Sequence, residues 1–112
     1  MLILGNTYSD AAMAISTSLG EYSIPAITAG ATAPSVTQGN AWFFRVVPDN
    51  TSIGESVAGY VRKISEYETS IIVYEDNQYG LTLGDGFERS FQERADRCLT
   101  NRASTQIALP KP

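Results

Sequence analysis

Short apolar, β-branched runs alternate with stretches of helical period along this chain, and that alternation leaves few folds open. Ser70-Ile71-Ile72-Val73-Tyr74 is the clearest strand, a continuous β-branched run of the kind that suits a strand covered on both faces. Leu2-Ile3-Leu4, halted by Gly5-Asn6, reads as another, and Ile24 to Thr28, bracketed by Gly20 and Pro25, as a third. Trp42-Phe43-Phe44-Arg45-Val46-Val47 is an extended segment that leaves in the turn Pro48-Asp49-Asn50, and Thr105 to Leu109 is a last candidate before Pro110.

Between these runs the period changes. Ala12, Ile15, Leu19 and Tyr22 recur at steps of three and four, the spacing of one helix face, with Ser9 or Asp10 suited to cap it. A helix is predicted from about Ser52 to Glu66, where Ile53, Val57, Tyr60, Val61 and Ile64 form one apolar stripe and Ser52 and Glu55 have capping-box spacing. Leu83, Phe87 and Phe91 mark a third helix ending near Cys98, which Gly84 and Gly86 each weaken by roughly 1 kcal/mol relative to Ala. Ala29 to Ser35 is a loop of small residues. Strands that alternate with helices predict an α/β fold, a parallel sheet with flanking helices joined by right-handed crossovers. Asp49 to Thr51 is a candidate boundary between two such units.

The 112 residues are one domain's worth of chain or a piece of something larger, and 43% hydrophobic residues are enough to form a core. With 8 Lys+Arg against 12 Asp+Glu, no basic stripe is available for phosphates, so nucleic acid and anionic membrane surfaces are set aside as partners. One Cys and no His exclude an internal disulfide, the usual zinc ligand sets and the Ser-His or Cys-His catalytic pairs. No uncharged stretch is long and apolar enough to span a bilayer, and the first residues lack the features of a signal peptide. No phosphate loop, dinucleotide fingerprint or nucleophile elbow is present. A flavodoxin-like enzyme or a response-regulator-like receiver therefore lacks its constellation.

In open α/β sheets, ligands bind beyond the carboxyl ends of the strands, where loops gather and helix N-termini present free N–H groups. Three loops fall at such ends: Asn6 to Asp10, Ala29 to Thr32, and Glu75 to Gly80. The first offers hydroxyls at a helix start, suited to a carboxylate, with Ser9 either a plain N-cap or a ligand contact. The second offers unobstructed backbone and the Thr32 hydroxyl, which serves a ligand or braces a turn. The third offers Tyr79, a partly buried aromatic or a cover over a small ligand. Glu75-Asp76 reads as a solvated pair, Cys98 as packing, and Asn50-Thr51-Ser52 as a chance match to the glycosylation pattern. The loops describe a binder of something small, polar and anionic at one end.

Three stretches together carry a resemblance. Ile24 to Pro34 with its Thr28-Ala29-Gly30-Ala31-Thr32, then Phe43-Phe44-Arg45-Val46-Val47-Pro48-Asp49, then Val73-Tyr74-Glu75-Asp76-Asn77-Gln78-Tyr79-Gly80, in this order and spacing, resemble the type I periplasmic binding proteins. That family includes the branched-chain amino-acid binding proteins of ABC transporters and the ligand-binding regions of class C and natriuretic-type receptors. The resemblance runs from about Leu2 to Phe91. It implies a non-catalytic, two-lobed clamshell that closes on an amino acid or similar small polar solute, without a cofactor. It further implies a transporter permease or a receptor transmembrane region as partner, on the periplasmic or extracellular side of a membrane. By the same resemblance Ser9, Gly30, Ala31 and Thr32 hold the ligand's charged groups and Tyr79 covers it from the second lobe. Residues 1–47 would be part of the first lobe, and 48–112 the hinge and the start of the second. Members are far longer, so the chain is expected to be a piece of a longer protein, with exposed apolar faces on Ile71 to Tyr74 or Leu2 to Leu4.

Overall fold

A computed structural model of the chain describes residues 1–65, 67, 69–95 and 104–109. In order come β1 (Ile3–Leu4), α1 (Ser9–Glu21), β2 (Ala26–Thr28), a short 3-10 turn (Pro34–Val36), β3 (Phe43–Arg45), α2 (Asn50–Lys63), β4 (Ser70–Glu75), α3 (Gln78–Ala95) and β5 (Ser104–Leu109). The chain divides into two compact units, Met1–Asp49 and Asn50–Pro112.

The first unit is a parallel sheet in the order β1-β2-β3, with Ile3 opposite Ala26 and Ala26 opposite Phe43. Strand alternation sorts its side chains cleanly. Ala26, Thr28 and Phe43 are buried beneath α1, whose Ala12 and Leu19 complete the core with Ala31, Ala33 and Val36. Leu4 and Phe44 point the other way and are 73% and 52% exposed, so among the described residues the sheet is covered on one face only. This is the bare apolar face expected at Leu2 to Leu4.

Both ends of α1 differ from the sequence reading. Its N-cap is Tyr8, with extended backbone and no side-chain capping bond, and Ser9 is already helical and buried. The helix also runs through Gly20. It stops in a Schellman motif in which Ile24 N–H donates to the Leu19 carbonyl (2.9 Å) and Ser23 N–H to that of Gly20 (3.2 Å). Ser23 takes the left-handed position, φ 52°, that glycine usually fills. Tyr22, placed on the apolar stripe by periodicity, is the C-cap and is 74% exposed.

In the second unit β4 pairs with β5 in parallel along its whole length, from Ser70 opposite Ser104 to Glu75 opposite Leu109. The face of α2 that packs is Asn50, Gly54 and Ala58, not the predicted stripe; Tyr60 and Ile64 are exposed. The cause is a close helix crossing. A Cβ on Gly54 would lie 2.5 Å from the Phe87 nitrogen, and one on Gly86 would lie 3.0 Å from the Asn50 carbonyl oxygen. Small residues let two backbones approach, so Gly86, which weakens α3 as an isolated helix, is what seats it against α2. Phe87 stacks on the fully buried Phe91 at 5.4 Å, and the Arg62 guanidinium lies 4.8 Å over the Phe91 ring.

Ser52 and Glu55 do not form a capping box, because α2 begins at Asn50 and Ser52 lies inside it. Asn50 is fully buried and its amide donates to the Tyr79 carbonyl (3.0 Å) and to Thr82 Oγ1 (2.8 Å), which leaves the glycosylation pattern there without an accessible acceptor. β4 is not covered on both faces. Ile71 and Val73 are 73% and 57% exposed, and among the described residues no strand pairs with its second edge. A groove of about 510 Å³ runs along β4, walled by Ile53 and Val57 of α2 and by Leu83 and Phe87 of α3. The predicted end of α3 near Cys98 lies outside the described residues.

Candidate functional site

The loops after β1 and β2 meet at the carboxyl end of the first sheet, and one buried side chain ties them. Thr28 Oγ1 donates to the Asn6 carbonyl at 2.6 Å and accepts from Gly30 N–H (3.3 Å) and Ala31 N–H (3.1 Å). Asn6 sits in the left-handed region, φ 59°, a conformation Asn adopts more readily than most residues. Gly30 is pressed against Thr7, where a Cβ would lie 2.7 Å from the Thr7 methyl and 3.0 Å from its Cα. The far side of the loop is held by Arg45, whose guanidinium donates to the Ala33 carbonyl (2.9 Å) and lies 3.7 Å from the Asp49 carboxylate.

On this scaffold the predicted residues of the first unit gather in one place. Ser9 Oγ accepts from Ala33 N–H at 3.1 Å, joining the first turn of α1 to the loop and keeping its own proton free to donate. Thr32, one residue away, has a hydroxyl oxygen sealed from solvent with no hydrogen-bond partner. The N–H groups of Gly30 and Ala31 are committed to Thr28 and Ala31 is fully buried, so these two residues shape the loop around the hydroxyls. With no side chain capping α1 at Tyr8, the N–H groups of its first turn also face this end of the sheet. Hydroxyl groups and the start of a helix gathered at one strand end are the donors that suit a carboxylate.

Tyr79 belongs to the second unit. It is not in a loop, as the sequence implies, but in the first turn of α3, because Asp76-Asn77 alone make the bend. Asn77 caps that helix, its Oδ1 accepting from Gly80 N–H at 2.8 Å, and a Cβ at Gly80 would run into the Glu75 carbonyl. The Tyr79 ring is 48% exposed. Thr28 and Arg45 are the residues that sequence reasoning missed. A Thr that closes a strand two residues before a Gly, and a cation beside an aromatic run, are the signals that could have found them.

The family model for the receptor family ligand binding region matches residues 1–108. No curated protein matches the chain. Among solved structures, the leucine-binding protein LivK of Thermotoga maritima is 22% identical, with a TM-score of 0.87 over 97% of this chain and 30% of its own. An ABC-transporter solute-binding protein of R. palustris in complex with benzoate is 23% identical, with a TM-score of 0.85 over 99% of this chain and 30% of its own. A further one from Rhodopseudomonas palustris HaA2, in complex with p-hydroxybenzoic acid, is 18% identical with a TM-score of 0.82, over 97% of this chain and 28% of its own. At these identities the likeness shows the fold, part of a type I periplasmic-binding-protein architecture, and the chain spans under a third of each relative's length. The family is one of binding regions and is not catalytic, and among the described residues no helix is long and apolar enough to cross a membrane. With nearly its whole length matched by that family model, the chain belongs to the receptor family ligand binding region.

Proposed function

We propose that the chain is part of a clamshell that captures a small organic carboxylate, an amino acid or an aromatic acid, on behalf of an ABC transporter on the outer side of the membrane. The observation that carries this is the Thr32 hydroxyl, buried without a partner among the described residues and followed by Ala33, whose N–H the Ser9 hydroxyl accepts at the start of α1. Leaving a buried hydroxyl unmade costs about 1–3 kcal/mol, which a ligand carboxylate accepting its proton would recover. The solved relatives are a leucine-binding protein and complexes with benzoate and p-hydroxybenzoic acid, and these three compounds share a carboxylate and little else. In this reading Ser9 and Thr32 donate to the carboxylate, the Gly30 and Ala31 backbone completes the shell, and Tyr79 covers the ligand on closure about residues 47–50.

The test pairs binding with stability. Leucine, benzoate and p-hydroxybenzoate are added separately at millimolar concentration and thermal unfolding is followed; ligand at about 100 times its Kd adds roughly 2.7 kcal/mol. Thr32→Val keeps the shape and deletes the hydroxyl. The variant is expected to unfold at the same temperature as the parent or higher, and to lose the ligand-induced shift. A ligand shift that survives in Thr32→Val removes Thr32 from the site, and no shift with any of the three refutes capture of this class by the chain.

A further inference from the structure

The first unit carries a second concavity, at the opposite end of its strands from the loops described above. It is a groove of about 580 Å³ where the C-terminal end of α1 meets the segment leading into β3, and its walls include Thr17, Glu21, Ser35, Gln38, Asn40 and Trp42. The walls are pinned: Asn40 Nδ2 donates to the Ser16 carbonyl (2.6 Å) and to Ser16 Oγ (3.0 Å), its Oδ1 accepts from Trp42 N–H (2.9 Å), and Ser16 Oγ donates to the Val36 carbonyl (3.2 Å). Gly39 takes a positive φ of 77° where the chain turns across the mouth.

Three independent features there favour positive charge. The C-terminal end of a helix carries the negative end of its macrodipole, and the last turn of α1 holds no Lys or Arg to offset it. Glu21 lies in that turn, and its exposed carboxylate makes no hydrogen bond or ion pair among the described residues. The Trp42 indole, 41% exposed, supplies the aromatic surface on which ammonium groups are attracted by the ring quadrupole. No basic residue lines the groove, and Arg45, the one Arg or Lys in the first unit, is engaged with Ala33 and Asp49.

We propose that this groove is a binding site for an organic cation, an alkylammonium group held between the Glu21 carboxylate and the Trp42 ring. It is independent of the carboxylate site, sharing no residue with it. The group could come from a free amine or from the lysine side chain of a partner protein, and the two are separable by experiment.

Trp42 is the only tryptophan in the chain, so its emission reports on the groove directly. The 112-residue chain is titrated at constant ionic strength with choline, with a short peptide that carries one unmodified lysine and a blocked N-terminus, and with a neutral alcohol of choline's shape. A saturable change in Trp42 emission with a cation but not with the alcohol is expected, weakened roughly threefold in Glu21→Gln, the scale of an exposed ion pair. Saturation by choline assigns the site to free amines, and by the peptide alone to a partner's lysine. No saturable change with either cation overturns the proposal, as does a response shared equally by the neutral alcohol or untouched by Glu21→Gln.

Discussion

Thr28→Val is the most informative single change, since it replaces one methyl-sized oxygen and leaves the volume of a fully buried side chain almost unaltered. Three bonds are lost together: the donation to Asn6 and the acceptances from Gly30 and Ala31. Ala31 is fully buried, so its N–H is orphaned outright, at about 1–3 kcal/mol. Asn6 and Gly30 are partly exposed, so water can replace their lost bonds and each adds about 0.5–1 kcal/mol. The sum is about 2–5 kcal/mol, which for a small domain lowers the unfolding temperature by about 10 °C or more. Urea unfolding followed by Trp42 fluorescence reads the first unit, and amide exchange at Ala31 reads the bond itself. Thr28→Ser, which keeps the hydroxyl, should retain most of the protection at Ala31. If Thr28→Val unfolds within about 0.5 kcal/mol of the parent, the hydroxyl does not hold the two loops together and the account of the site's scaffold is wrong.

Two further changes probe the second unit. Gly54→Ala places a Cβ against backbone atoms of Phe87 and Gly86, which cannot rotate away, so the helices must part at about 3 kcal/mol; urea unfolding followed by helical circular dichroism measures it. Glu55→Ala, one residue along on the exposed face, should change little, and equal costs for the two would mean that the crossing is not what Gly54 serves. Ile71→Lys combined with Val73→Thr should leave unfolding within about 0.5 kcal/mol and lower self-association seen by light scattering, because both side chains stand exposed beside an unpaired strand edge. Association that persists unchanged would place the adhesive surface elsewhere.

Element types were legible because each rests on a local signal: the β-branched run at Ser70 to Tyr74, the helical steps through Ala12 and Leu19, the turn at Pro48 to Asn50. Which face of a helix is buried was legible for α1 and not for α2. Periodicity ranks large apolar residues first, and Ile53, Val57, Tyr60, Val61 and Ile64 satisfied it. The packing surface is instead set by the smallest residues, Gly54 and Ala58, because a close crossing rewards the absence of side chains. The loops of the site were locatable from strand ends alone. What held them was not, since the bonds of Thr28 and Arg45 reach residues that only the folded chain brings near. The Ser9 hydroxyl, read either as a cap for its own helix or as a ligand contact, accepts from a loop far along the chain and caps nothing.

The order of strands along the chain also bears on synthesis. Among the described residues, every partner in the first sheet and every residue of its core is contained in residues 3–45, so this unit can begin to close as soon as that stretch has left the ribosome. β4 has no such luck, because its partner begins only at Ser104. Through the interval in which α3 is made, at about 5–20 residues per second, Ser70 to Glu75 waits with both edges open and Ile71 and Val73 in water. A pause in synthesis with residue 75 already clear of the ribosome and Ser104 still inside would hold out a bare β-branched strand, and it is then, more than in the finished fold, that the nascent chain most needs a chaperone.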